Sequence, residues 1–220
     1  MSAAKTDYRK LMDDELARVA ELARVAETGR EGSASVRPAL LLHSCCGPCS
    51  TAVISELAPS FRLTVFYYNP NVDTAGEYEL RAAEQRRALS LLVVPNPVEY
   101  LDEGHRPEDF LAEAEALAAE PEGGARCSVC FRVRLDRTAR RAKELGFEWI
   151  CSTLTVSPHK DAPRINAIGA AVAERAGVKW LPSDFKKRNG YQRSIELSRK
   201  FDLHRQDYCG CVWSRTARTE

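Results

Sequence analysis

The sequence predicts a three-layer α/β fold with a mostly parallel sheet and an additional N-terminal helix. From residue 38 onward, short apolar runs alternate with stretches of helical periodicity, which is the order typical of βαβ units. The chain has 220 residues, enough for one substantial core. We therefore expect a single α/β domain over 38–220, preceded by a helix and linker over 1–37.

The N-terminal segment predicts a helix over about 7–28. Apolar residues recur there at helical spacing and form one stripe on an otherwise charged segment. The following TGREGSASVR is typical of a loop. We expect the helix to dock at the edge of the main domain through its apolar stripe, with partner binding as the alternative.

The remaining elements alternate regularly. Predicted strands cover 39–43, 63–67, 91–94, 149–152 and 178–181. Predicted helices cover 51–58, 75–89, 107–119, 128–145, 164–176 and 191–200. Parallel sheets collect ligands at the carboxyl ends of their strands. We therefore expect the loops CCGPCS, STLTVSPHK and PSDFKKRNG to share one rim of the sheet.

Composition excludes several classes of protein. The formal net charge is +1, so no global field favours nucleic acid. No apolar run approaches the roughly 20 residues of a membrane span. The N-terminus is too charged to be a signal peptide. We therefore expect a soluble, cytoplasmic protein with no membrane contact.

The chain has eight cysteines, an even number that would indicate disulfides in a secreted protein. A reducing cytosol keeps most thiols free, and the adjacent Cys45 and Cys46 would make an awkward pair of bridges. Metal ligation is therefore favoured over thiol–disulfide chemistry and over inert thiols. Cys151, inside an apolar strand, is expected to be buried and inert.

Two C-x-x-C pairs, Cys46-Gly-Pro-Cys49 and Cys127-Ser-Val-Cys130, supply four thiolates, which suit either zinc or an iron–sulfur cluster. Cys45, Cys209 and Cys211 exceed what one zinc ion or one four-iron cluster uses. The surplus favours a cluster beside a second metal that keeps an open coordination position.

Two other interpretations stay open from the residues alone. A zinc-binding RNA module without redox activity would use similar thiols. C-G-P-C is also typical of thioredoxin-like thiol–disulfide oxidoreductases. The phosphate-binding motifs of ATP and dinucleotide sites are absent from the sequence, so neither cofactor is favoured.

Several longer motifs occur together along the chain. They are HSCCGPCS (43–50), YNPN (68–71), EPEGGARCSVCFRVRL (120–135), TLTVSPHKD (153–161), DFKKRNGYQRSIELS (184–198) and YCGC (208–211). In this order, over about 38–213, the chain resembles the cobalamin-independent epoxyqueuosine reductases of the QueH type. The resemblance implies a HUP/Rossmann-like fold and an oxidoreductase that removes the epoxide oxygen of epoxyqueuosine in tRNA, the last step of queuosine synthesis.

The resemblance also implies cofactors and partners. A 4Fe-4S cluster would be held at Cys46, Cys49, Cys127 and Cys130. A mononuclear iron would lie near Cys45, Cys209 and Cys211. The substrate would be the anticodon arm of tRNA with epoxyqueuosine at the wobble position, and an unidentified electron donor would be needed.

Loss of an epoxide oxygen as water requires a proton donor near that oxygen. His159 is a candidate because imidazole titrates near neutral pH, and Asp161 and Tyr208 are rivals. The alternative for His159 is a loop residue that binds backbone or phosphate. His43, beside the cysteine turn, is more typical of a core or supporting histidine.

Residues 186–205 contain seven basic and two acidic residues. Such a run is often a solvated face, but beside a metal site it is a candidate track for tRNA phosphates. The candidate phosphate contacts are Lys160, Lys186, Lys187, Arg188 and Arg193. The candidate contacts to the base are Tyr68, Asn69 and Asn71.

Overall fold

The computed structural model describes residues 6–28 and 37–216. The helices are α1 (Tyr8–Thr28), α2 (Gly47–Leu57), α3 (Ala75–Leu91), α4 (Glu108–Ala114), α5 (Ala125–Leu145), α6 (Ala162–Ala176), α7 (Gly190–Lys200) and α8 (Val212–Thr216). The strands are β1 (Ala39–Ser44), β2 (Arg62–Tyr67), β3 (Glu99–Asp102), β4 (Trp149–Ser152) and β5 (Lys179–Trp180). Short 3-10 turns follow α4 and β4.

The five strands form one parallel sheet in the order β3-β2-β1-β4-β5. The chain places β2 and then β3 on one side of β1, and it then crosses back to place β4 and β5 on the other side. This reversal creates a crevice beyond the carboxyl end of β1, where such folds bind ligands. The predicted α/β class and parallel sheet are confirmed.

Strand β1 is buried along its whole length because helices cover both faces of the sheet. Leu40 and Leu42 pack in one core cluster with residues of α1 and α2. Leu41, which points the other way, packs in a second cluster with residues of α5 and α6. The three layers of the prediction are present.

Helix α1 docks on the first of these clusters. Met12 and Val19 are buried there, and Arg9 forms an ion pair with Glu56 of α2 at 2.5 Å. The predicted helix over 7–28 is confirmed. Most of the predicted linker lies outside the described residues, and the division at residue 37 stays a prediction.

The predicted strand at 91–94 is wrong. Helix α3 continues to Leu91, and Val93 is 98% exposed. The third strand lies later, at Glu99–Asp102, where Tyr100 pairs in register with Val65. Pro95 and Pro97 separate the two segments and lack the N–H group that a sheet ladder requires.

Two boundaries differ from prediction in a way that matters for the cysteines. Helix α2 begins at Gly47, not at 51, because Pro48 has the fixed φ that suits a first helical turn. Helix α5 begins at Ala125, so its first turns include Cys127 and Cys130.

Within the described ranges, no helix is both long and apolar enough to cross a bilayer.

Candidate metal and substrate site

The first cysteine segment lies at the switch point of the sheet. Cys45 follows β1, Cys46 is the N-cap of α2 and Cys49 lies in the first turn of that helix. Their three Sγ atoms all lie within 4.8 Å of one another. The carboxyl end of β1 and the start of α2 therefore bring these thiols together.

The three thiols share hydrogen bonds that separate their acidities. Hydrogen bonds from Cys46 and Cys49 lower the pKa of Cys45 well below its usual value. The hydrogen bond to Cys45 is the main cause that raises the pKa of Cys46, to about 12. The pKa of Cys49 is also raised, first by its hydrogen bond to Cys45. Of the three thiols, Cys45 is therefore the one that most readily loses its proton and carries the negative charge.

A thiophilic metal fits this trio. The Sγ atoms of Cys45 and Cys46 are 3.8 Å apart. Two ligands of a tetrahedral ion with metal–sulfur bonds of about 2.3 Å are separated by about 3.8 Å. The donors are all sulfur, which favours zinc, copper(I) or iron–sulfur centres over hard cations.

The other two cysteine segments meet in a cluster with residues of α4 and α8. Cys130, Cys209 and Cys211 belong to one small cluster with Phe110 and Trp213. A hydrogen bond from the Cys211 thiol lowers the pKa of Cys209 to about 5. This second group of thiols therefore also carries a thiolate.

The predicted division of ligands between the two metals does not follow these two groups of thiols. It places Cys45 with Cys209 and Cys211, whereas the close partners of Cys45 among the described residues are Cys46 and Cys49. Cys127 Sγ accepts from the Gly123 N–H at 3.2 Å. How the ligands divide between two metals stays a prediction.

The expectation for Cys151 fits its surroundings. Its side chain is fully buried in β4, with Sγ 3.6 Å from the Leu181 carbonyl oxygen. Burial raises the pKa of this thiol to about 12, so it stays protonated. Cys151 has no access to the rim on which the other segments lie.

A cavity of about 620 Å³ opens beside the thiols. Cysteines of the first and third segments line it, namely Cys45, Cys46, Cys49 and Cys209. Its charged lining is mostly basic, consisting of Arg81, Arg134, Lys160, Arg205, Glu122 and Asp207. A polar, mainly cationic cavity of this size suits a negatively charged ligand.

Lys160 links this cavity to the thiols. Burial lowers its pKa, but the negative charges of Cys45 and Cys209 outweigh that effect, so the pKa of Lys160 is raised. The side chain is half-buried and lines the cavity. Lys160 is therefore a charged ammonium group close to both thiol groups.

The predicted proton donors occupy different positions. His159 and Tyr208 both line the cavity, and the Tyr208 hydroxyl is 3.5 Å from Asp73 Oδ1. Asp161 instead caps α6, where its carboxylate accepts from the Arg164 N–H at 3.1 Å. Geometry therefore favours His159 and Tyr208 over Asp161 as groups that reach a ligand.

The predicted base contacts are buried. The Tyr68 hydroxyl donates to Asp109 at 2.7 Å, and Asn69 Nδ2 donates to the Ser44 carbonyl at 3.0 Å. Asn71 Nδ2 donates to the Cys209 carbonyl at 3.1 Å. Asn69 and Asn71 thus hold two cysteine segments in place, and none of the three side chains lines the thiol cavity.

The predicted phosphate contacts separate into two places. Lys160 lines the thiol cavity, and Lys186 donates to the Lys160 carbonyl at 3.2 Å. Lys187, Arg188 and Arg193 line a smaller cavity of about 200 Å³ beside α1. The basic residues thus form an inner and an outer group.

Sequence reasoning missed two arginines at the site. Arg134 and Arg81 are 3% exposed and line the thiol cavity. Arg134 follows Cys130 by four residues, so both lie on one face of α5. That spacing was the signal in the sequence that could have identified Arg134. The Arg134 side chain contacts His43. His43 is fully buried, and burial lowers its pKa to about 3, as expected for a core histidine.

The fold and site define a class: a doubly wound α/β protein with thiols gathered at its switch point. Residues 40–217 match the family described as epoxyqueuosine reductase QueH. The chain belongs to this family, which is a family of oxidoreductases.

Curated relatives support this assignment. Epoxyqueuosine reductase QueH of Streptococcus pyogenes serotype M1 is 44% identical over 82% of this chain and 71% of the relative. The protein of the same name from Staphylococcus epidermidis is 41% identical over 81% and 76% of the two chains. The Thermotoga maritima protein of that name is 34% identical over 82% and 92%. The family match itself begins at residue 40.

Proposed function

We propose that this protein reduces the epoxide of epoxyqueuosine in tRNA to the alkene of queuosine. The observation that carries the proposal is the meeting of thiols and cations at one cavity in a chain of this family. The reaction consumes two electrons and two protons and releases the epoxide oxygen as water. A site for it needs an electron-transfer group, a proton donor and a way to hold an anionic substrate.

The cavity residues account for substrate binding. Lys160 and Arg205 supply positive charge for phosphates of the anticodon arm, whose contacts dominate nucleic-acid affinity. Tyr191 lines the same wall, 5.9 Å beneath the Arg205 guanidinium, and its ring offers a stacking surface for an unpaired base. The outer group, Lys187, Arg188 and Arg193, extends this track toward α1.

Protons reach the departing oxygen from the rim. His159 is exposed, and its backbone N–H is held by Ser157 Oγ at 3.3 Å, which fixes the loop that presents the imidazole. Tyr208 also lines the cavity, with its ring centre 4.9 Å from the guanidinium carbon of Arg81. We assign the donor role to His159, with Tyr208 as the second proton source.

The thiols account for the metal chemistry. Cys46, Cys49, Cys127 and Cys130 would hold a 4Fe-4S cluster, and Cys45, Cys209 and Cys211 a mononuclear iron. When bound, these groups supply single electrons and a Lewis acid for the epoxide oxygen. The chain itself contributes thiolates at Cys45 and Cys209. We further propose a cytoplasmic location, where tRNA and a separate electron-donor protein are available.

The test is conversion of the substrate by anaerobically purified protein. Transfer RNA that contains epoxyqueuosine is incubated with the protein and a chemical reductant, and its nucleosides are then weighed by mass spectrometry. We expect the modified nucleoside to lose one oxygen atom. The alternatives, a redox-inactive zinc module and a thiol–disulfide oxidoreductase, both predict an unchanged nucleoside.

A matched control uses two cysteine variants. Cys45→Ser removes a rim thiol, whereas Cys151→Ser changes the buried thiol of β4. We expect the first variant to lose conversion and the second to keep it. Full conversion by Cys45→Ser would contradict the proposed site.

A further inference from the structure

Arg134 is a buried cation held between neutral groups. Its Nε donates to His43 Nε2 at 3.2 Å, and its Nη2 donates to Asn69 Oδ1 at 2.5 Å. Its Nη1 lies 3.7 Å from Cys130 Sγ. In residues 6–28 and 37–216 its side-chain partners are these three groups, and none is a carboxylate.

Such a charge is costly without a counter-charge, and neighbouring arginines show the usual solution. Arg137, three residues further along α5, forms an ion pair with Glu103 at 2.6 Å. Arg81, equally buried, pairs with Glu77 at 2.6 Å. Arg134 differs because the acidic group that it contacts is a cysteine thiol, that of Cys130.

The contacts also fix the position of the guanidinium. His43 Nε2 lies 3.2 Å from both Arg134 Nε and the Tyr68 carbonyl oxygen. His43 Nδ1 lies 2.9 Å from Ser152 Oγ, at the carboxyl end of β4. Asn69 is held in turn by the Ser44 carbonyl at the end of β1. Two neighbouring strand ends thus hold the guanidinium at the cavity wall.

We propose that Arg134 is the built-in counter-cation of the thiolate centre, and that its fixed charge raises the reduction potential of a metal group bound there. A nearby positive charge stabilises the more negative, reduced state more than the oxidised state. The charge also lies beside two cysteine segments. Arg134 Nη1 is 3.7 Å from Cys130 Sγ, and Arg134 lines the same cavity as Cys45.

This inference rests on the proposed function for the identity of the bound group, so its test has two arms. In the first, the midpoint potential of the anaerobic iron-containing protein is measured by a dye-mediated redox titration. Arg134→Gln removes the charge, and Arg137→Gln removes a paired charge from the same helix. We expect at least about a tenfold shift of the reduction equilibrium toward the oxidised form in Arg134→Gln, which is about 59 mV for one electron.

A second variant keeps the first arm decisive if Arg134→Gln does not fold. Asn69→Asp leaves the guanidinium in place but sets a carboxylate against its Nη2, so the net charge is cancelled by an ion pair. We expect its potential to fall in the same direction. Arg137→Gln is expected to match the unsubstituted protein. Unchanged potentials in both Arg134→Gln and Asn69→Asp would overturn the proposal.

The second arm uses Cd²⁺ as the probe on reduced, metal-free protein. Three or four thiolates around Cd²⁺ carry a net negative charge that Arg134 would stabilise. We expect Arg134→Gln to bind Cd²⁺ at least about tenfold more weakly than Arg137→Gln in a chelator competition. Equal affinities would overturn the proposal. A purified protein without iron would contradict the proposed function alone, and the Cd²⁺ comparison would still decide the role of Arg134.

Discussion

Gly47, inside the Cys-Gly-Pro-Cys turn, packs directly against the backbone of α3. A Cβ atom at this position would lie 2.5 Å from the Glu84 carbonyl oxygen and 3.1 Å from the Gln85 nitrogen. Both atoms belong to the middle of a helix, so neither can rotate away. Gly47→Ala must therefore push α2 and α3 apart.

The size of the effect follows from this distance. Ordinary contact begins near 3.4 Å, so the two backbones must separate by nearly 1 Å. Forcing an extra methyl group into a packed interior costs about 1–3 kcal/mol. In a chain of this length each kcal/mol lowers Tm by about 2–4 °C, which gives an expected loss of about 2–12 °C. The shift also disturbs Gln85, whose Nε2 donates to Ser50 Oγ at 2.9 Å.

The assay is thermal unfolding of reduced, metal-free protein, because a bound metal would add its own stabilisation. Gly76→Ala is the matched control, since a Cβ there meets nothing within 4 Å. We expect the control to keep or slightly raise Tm. The same protein is then titrated with Cd²⁺, and Gly47→Ala should bind it more weakly because the turn carries Cys46 and Cys49. Equal Tm values for the two variants would refute the packing argument.

Three further predictions concern the site. Cys211→Ser is expected to keep most of the cluster colour but to lose reduction of epoxyqueuosine in tRNA, and full activity would contradict a separate iron site. Asp161→Asn should keep both stability and activity. Asp161→Ala should lower the free energy of unfolding in a urea titration by about 1 kcal/mol, because the helix cap is lost. An inactive Asp161→Asn would instead support the proton-donor role. Lys187→Ala should reduce the slope of log affinity for tRNA against log salt by about 1, and an unchanged slope would exclude a phosphate contact.

The sheet could be predicted from sequence because its central strands are mainly apolar. β1 and β4 are buried on both faces, so they read as continuous apolar runs. The edge strand β3 could not be found in this way. Its sequence, EYLD, is exposed or half-buried, whereas the more apolar residues 91–94 lie outside the sheet.

The thiol site could be located from sequence because C-x-x-C spacing and the ends of apolar strands can both be recognised in the sequence. The roles of single polar residues could not be predicted in this way. Asn69 and Asn71 had the residue type of base contacts, but they are buried and hold the Arg134 guanidinium and the Cys209 carbonyl. Helical periodicity shows which face a residue occupies but not how deep it lies. The depth of Arg134 therefore needed the structure.

We propose that the thiols of the three cysteine segments hold an iron centre that reduces epoxyqueuosine in tRNA. The most direct measurement counts iron, acid-labile sulfide and zinc in anaerobically purified protein and follows the centre's colour when substrate tRNA is added after reduction. We expect a brown protein with several irons per chain, reoxidised by tRNA with epoxyqueuosine but not by tRNA with queuosine. A colourless protein with stoichiometric zinc, or a reduced centre that does not respond to the substrate, would contradict it.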